Sequence, residues 1–140
     1  MITLDQYFAS RKSHPEATPE KYAAADELLG RVNRLLDRAY NEGIYHEDPD
    51  PDTGTCVSGS RGGCGDGGFR LSDSATGAVK SAHKQARAVD VYDPDNDLDY
   101  WISDTLLEEF GLYREHPEKT PGWCHLQDLA PGSGKRTFWP

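Results

Sequence analysis

The chain has 140 residues, 36% hydrophobic and 28% charged, enough for one domain with a modest core and too few for two. A formal net charge of −9 argues against a nucleic-acid partner, because phosphate binding needs clustered Lys and Arg. No apolar run approaches the roughly 20 residues of a membrane span, and Met1-Ile2-Thr3-Leu4-Asp5 lacks the basic and apolar regions of a signal peptide, so a monomer made in a cytoplasm is expected.

Leu4, Tyr7 and Phe8 recur at helical spacing and predict a short helix ahead of the break at His14-Pro15. A long helix follows over Pro19 to Tyr40. Thr18 is a good N-cap, Pro19 suits the first helical position, Glu20 favours the positive end of the dipole and Gly43 supplies a stop. Tyr22, Ala25, Leu28, Leu29, Val32, Leu35, Leu36 and Ala39 line one face, so residues 1–44 read as helical scaffold. Residues 45–67 are dense in Gly, Pro, Asp and Ser and read as a surface loop, a candidate rim for a cleft. Asp48, Asp50 and Asp52 alternate there as in a calcium loop, but Gly at the sixth position and Glu at the twelfth are missing; a solvated acidic turn is expected, with His46 exposed beside it. Cys56 and Cys64 share this loop and can pair, although a cytoplasmic origin favours free thiols.

Residues 68–140 hold the chemistry. Gly67 to Leu71 reads as a short strand carrying Arg70, whose donor fork suits a carboxylate or an oxyanion. The apolar run Ala88 to Tyr92 reads as a strand with Ala88, Asp90 and Tyr92 on one face and Val89 and Val91 on the other. A carboxylate among apolar residues is costly unless its charge is compensated, and a cation shared with His83, seven residues ahead, would do this. The third ligand is expected from His125, in the β-like run Trp123 to Gln127. Two histidines and one aspartate with an open fourth position match a hydrolytic zinc site rather than a structural one. Between the two runs, Asp93 to Asp97 predicts an acidic turn, and Asp97 or Asn96 can cap a helix over Leu98 to Phe110. Trp101, Ile102, Thr105, Leu106 and Phe110 would form its buried face and Gly111 its stop. Leu112 and Tyr113 re-enter the sheet, His116 to Gly122 forms a loop, and Cys124 points away from His125 into the core.

The pattern Ser81-x-His83-x-x-Ala86-x-Ala88-x-Asp90, followed by Trp123-x-His125, resembles the signature of the D-Ala-D-Ala carboxypeptidase/hedgehog superfamily of zinc peptidases, usually Ser-x-His-x-x-Gly-x-Ala-x-Asp and Trp-x-His. Gly68-Phe69-Arg70 resembles the Gly-aromatic-Arg element upstream. Gly111-Leu112-Tyr113-x-Glu115 through Ser133-Gly134-Lys135-Arg136 resembles small phage and prophage members. The resemblance covers Gly68 to Pro140. It implies a single α+β domain in which a small antiparallel sheet carries the Zn2+ ligands His83, Asp90 and His125, with helices packed on the sheet. It also implies hydrolysis of peptidoglycan stem peptides, of D-Ala-D-Ala carboxypeptidase or L-Ala-D-Glu endopeptidase type, at the wall after release or as part of a virion.

The general base is where the chain departs from the family. Several members carry an acid three residues before the last histidine; here that position is Gly122. Leu112-Tyr113-Arg114-Glu115 resembles a hedgehog-branch pattern whose glutamate faces the metal, which makes Glu115 the expected base and Glu118 the alternative. His116 is expected either to donate a hydrogen bond to a ligand or to face solvent, Ser81 to help orient the ligand histidines, and Trp123 to pack or shape the cleft. Ala86 replaces the usual Gly, which is acceptable at negative φ. Without a working base the same ligand set would make a catalytically silent, zinc-stabilised binding or virion module.

Overall fold

In the computed structural model, which describes residues 1–59, 66–75 and 81–140, helix α1 (Leu4–Phe8) begins on a reciprocal cap. The Thr3 hydroxyl accepts from the Gln6 amide and the Gln6 side chain accepts from the Thr3 amide, each at 3.1 Å. Helix α2 (Pro19–Asn41) starts as expected on the Thr18 hydroxyl, which accepts from Lys21 N, and the chain leaves it through Gly43 at φ +77°. All the predicted face except the half-buried Tyr22 is buried. Phe8 stacks on Tyr22 at 4.0 Å and lies 5.2 Å from Phe69, so α1 and the Gly-Phe-Arg segment are fastened to α2 through aromatic rings.

Four strands, β1 (Ala88–Tyr92), β2 (Tyr113–Glu115), β3 (Trp123–Gln127) and β4 (Thr137–Phe138), form one sheet in the order β1-β3-β2-β4. Strand β3 is antiparallel to both β1 and β2, but β4 runs parallel to β2. The sheet is therefore mixed, not antiparallel as expected. After β3 the chain turns back and lies along the outer edge of β2 in the same direction, where Arg114 N donates to Arg136 O and His116 N to Phe138 O.

The single helix expected over Leu98 to Phe110 is two, α3 (Asp97–Trp101) and α4 (Asp104–Phe110). Ile102 is extended and buried, and the Ser103 hydroxyl accepts from Leu106 N to start the second helix. Neither Asn96 nor Asp97 caps α3. The Asp93 carboxylate does so, accepting from Leu98 N and Asp99 N at 3.1 and 2.9 Å, and Asp93 is accordingly buried rather than solvated. Gly111, at φ +68°, ends α4 as expected.

The segment after α2 is more than a surface loop. Val57 bridges to Val91, Tyr92 N donates to Cys56 O and Ser58 N to Asp90 O, so the loop extends the free edge of β1. Asp50 is buried, its two carboxylate oxygens accepting from Asp52 N and Gly59 N at 2.8 Å, whereas Asp48, Asp52 and His46 are exposed. Residues 67–71 form no strand. Their backbone groups pair with three separate segments instead, Gly67 O with Asp90 N, Phe69 N with Tyr7 O and Arg70 N with His83 O, and the packing is close: a Cβ on Gly67 would lie 1.9 Å from Ser58 O, and one on Gly68 2.1 Å from Tyr7 O. Cys64, and with it the pairing of Cys56, lies outside the described residues. Among the described residues no helix is long and apolar enough to cross a membrane. The whole is one small α+β domain.

Candidate metal centre

Asp90 and His125 are direct cross-strand partners in the β1–β3 register. The backbone of Asp90 turns the other way, its N–H to Gly67 O and its C=O to Ser58 N, so the pair is of the non-hydrogen-bonded kind, in which opposing side chains come closest. His83 arrives from a 3-10 turn, Ala82–Gln85, begun by the Ser81 hydroxyl accepting from His83 N at 3.3 Å. The turn closes at Ala86 with φ 58° and ψ 35°. The negative φ expected there is not met: the chain needs the left-handed conformation to pass from the turn into β1, and alanine bears about 1–2 kcal/mol of strain for it.

Three side-chain atoms converge as a result. Asp90 Oδ1 lies 2.9 Å from His125 Nδ1 and 3.2 Å from His83 Nε2, and the two nitrogens are 3.3 Å apart. All three residues are buried. The outer nitrogens face acceptors: His83 Nδ1 donates to Gly68 O at 2.9 Å and His125 Nε2 to Gln127 Oε1 at 2.7 Å. With a proton on each outer nitrogen, a neutral imidazole turns its lone pair inward. Three lone-pair donors then meet at one point, which is unfavourable without a cation between them. The donor set therefore fits a metal ion, and it is the only group of its kind among the described residues.

The electrostatics express the same demand for positive charge. Burial alone would raise the Asp90 carboxyl, but protons on the inner nitrogens can stand in for the cation, and the charge of His83 and hydrogen bonds from both rings then hold it well below the usual carboxylate range. Burial would likewise lower His125, yet the hydrogen bond and charge of Asp90, with Glu115 behind them, raise it. For His83 burial outweighs the charge and hydrogen bond of Asp90, and its pKa falls. Arg70, also buried, holds the far side of the aspartate, with Nη2 3.5 Å from Asp90 Oδ2 and Nε donating to Asp66 O.

Glu115 ends β2, one step beyond the Arg114–Leu126 pair and therefore next in register to His125. Its Oε2 lies 3.8 Å from His125 Nδ1, and its side chain is 20% exposed where the ligands are closed off. Glu118, the alternative, sits exposed on the 3-10 turn Pro117–Lys119. His116 stacks on Trp139 at 3.9 Å and accepts from Glu118 N. Trp123 is half-buried opposite Tyr92. Cys124 points into the core as expected, where burial pushes its thiol pKa up. Two contributors went unforeseen, Gln127 and the Gly68 carbonyl. Gln127 was open to sequence reasoning, since it lies two residues from His125 on the same strand face.

The fold and centre define the class: a small α+β domain in which two strands and a neighbouring 3-10 turn bring together a buried His83, Asp90, His125 triad that can hold a metal ion. Compared with known proteins, the chain matches no family model, no curated protein and no solved structure.

Proposed function

We propose that this chain is a zinc peptidase hydrolysing peptidoglycan stem peptides, of D-Ala-D-Ala carboxypeptidase or L-Ala-D-Glu endopeptidase type. The observation that carries the reading is Glu115, a partly exposed carboxylate 3.8 Å from an inner ligand nitrogen. A carboxylate so placed and partly open to solvent can act on a group held at the fourth position of a three-ligand site, which is what a hydrolytic centre requires. Two imidazole nitrogens and one carboxylate oxygen suit zinc. Bound zinc would supply Lewis-acid chemistry, polarising the peptide carbonyl and acidifying a water molecule.

The protein's own groups do the rest. Glu115 takes the proton from the attacking water at Oε2 and returns it to the leaving amine nitrogen. Arg70 fixes Asp90 through its Oδ2 and adds positive charge behind that ligand. Gly68 O and Gln127 hold the two rings so that the inner nitrogens stay available.

The test is incubation of zinc-loaded protein with purified peptidoglycan and mass spectrometry of what is released. Free D-Ala or stem peptides bearing a new amino terminus are expected, and the product tells which bond is cut. Samples holding one zinc per chain that release nothing from walls of several bacterial classes would contradict the proposal, leaving a catalytically silent binding or virion module.

A further inference from the structure

The two histidines of the centre are held differently. His83 leans on a backbone carbonyl, which can only accept, so its Nδ1 must carry the proton. His125 leans on a side-chain amide, which can turn over. With Gln127 Oε1 toward the ring, Nε2 is protonated and Nδ1 presents its lone pair to the centre. With the amide turned over, the NH2 group would face Nε2, the proton would move to Nδ1, and the inner nitrogen would become a donor to Asp90 Oδ1 instead of a ligand. One amide orientation makes a metal site and the other abolishes it.

The neighbouring turn decides between them. Gln127 Nε2 donates to Leu129 O at 2.6 Å, so turning the amide over would set two acceptor oxygens against each other. That carbonyl is not free to swing. Asp128, between the two residues, is tied to the start of β1: Arg87 Nε donates to its carboxylate at 2.9 Å, Arg87 Nη2 to its carbonyl at 3.2 Å, and its own N–H donates to Arg87 O. We propose that Gln127 is a positioning residue which, with its amide set by the Leu129 carbonyl, fixes His125 in the tautomer that ligates through Nδ1. This rests on the reading of His83, Asp90 and His125 as a zinc site and adds what keeps that site competent before the metal arrives.

The experiment measures zinc affinity by competition with a chromophoric chelator, alongside nitrogen-15 NMR of the His125 ring in metal-free protein at a pH where imidazoles are neutral. In the wild type, Nε2 is expected as the protonated nitrogen and Nδ1 as the lone-pair nitrogen. Gln127→Leu removes the acceptor and should weaken zinc binding about 10- to 100-fold while the ring samples both tautomers. Gln127→Glu keeps an acceptor against Nε2 although it gives up the donation to Leu129 O, so Nε2 should stay protonated and zinc affinity should exceed that of Gln127→Leu, which a merely space-filling role would not produce. A wild-type ring protonated at Nδ1 overturns the proposal whatever the variants do. So does unchanged zinc affinity in folded Gln127→Leu. Failure of the wild type itself to bind zinc is a different result, and it refutes the metal reading rather than the tautomer lock.

Discussion

Metal removal gives a prediction whose size can be worked out. The three ligand atoms lie within 4.8 Å of one another in the folded chain, whereas His83 and His125 are 42 residues apart in sequence, so the unfolded chain offers no comparable site. Zinc then stabilises the folded state alone, and once free zinc exceeds Kd each further tenfold adds about 1.4 kcal/mol. With an unfolding entropy of about 2.1 cal/mol/K per residue, 140 residues give roughly 0.29 kcal/mol/K near the midpoint. Each decade of free zinc should therefore raise Tm by about 5 °C, and a thousandfold excess over Kd by roughly 14 °C. Calorimetry or fluorimetry in metal buffers reads this slope directly. Asp90→Ala should flatten it by removing the anionic ligand. A wild-type Tm independent of free zinc, or an equal slope in Asp90→Ala, would refute the reasoning.

Leu28→Ala, at a fully buried position of α2, should cost about 2–5 kcal/mol, seen as a lower denaturation midpoint with or without zinc. Gly68→Ala would set a Cβ 2.1 Å from Tyr7 O; the segment must shift, taking the Gly68 carbonyl from His83, so both Tm and zinc affinity should fall. For pH, the sign follows from the shifts. His125 is raised, so its proton stabilises the metal-free fold below the ordinary histidine value of about 6.5, and that contribution is lost as pH rises through the folded value. Zinc needs the neutral ring, so chelator competition should show affinity weakening as pH falls through the same range. Asp90 is depressed; its contribution is present above about 3.9 and is lost only as pH falls through its lower folded value, so zinc release in mildly acidic buffer reports the histidines.

Local signals made much of this fold legible. Thr18, Pro19 and the three- and four-residue spacing from Tyr22 to Ala39 suffice for α2 because cap and period agree over 23 residues. The centre was legible because an aspartate inside an apolar strand demands compensation, and β1 and β3 are each long enough to show their alternation. Features that depend on distant partners were not legible. β4 has two residues and exists only because β2 offers it an edge. The break between α3 and α4 is made by burying Ile102, whose spacing also fits one continuous helix. Asp93 caps α3 from outside the usual cap position, and Asp50 turns its carboxylate inward because it accepts from Gly59 N, nine residues on, as well as from the local Asp52 N. The left-handed Ala86 follows from the path between the 3-10 turn and β1, which no local propensity states.

Glu115 is where an enzyme and a silent zinc module part, and Glu115→Gln tests it most directly. The substitution keeps the side chain's shape and all three ligands, so zinc stoichiometry and Tm should match the wild type. Peptide release from purified peptidoglycan, measured on the same zinc-assayed samples, should fall about 10²- to 10⁴-fold. Full activity in a zinc-loaded Glu115→Gln protein would contradict the assignment of Oε2, 3.8 Å from His125 Nδ1, as the group that moves the proton.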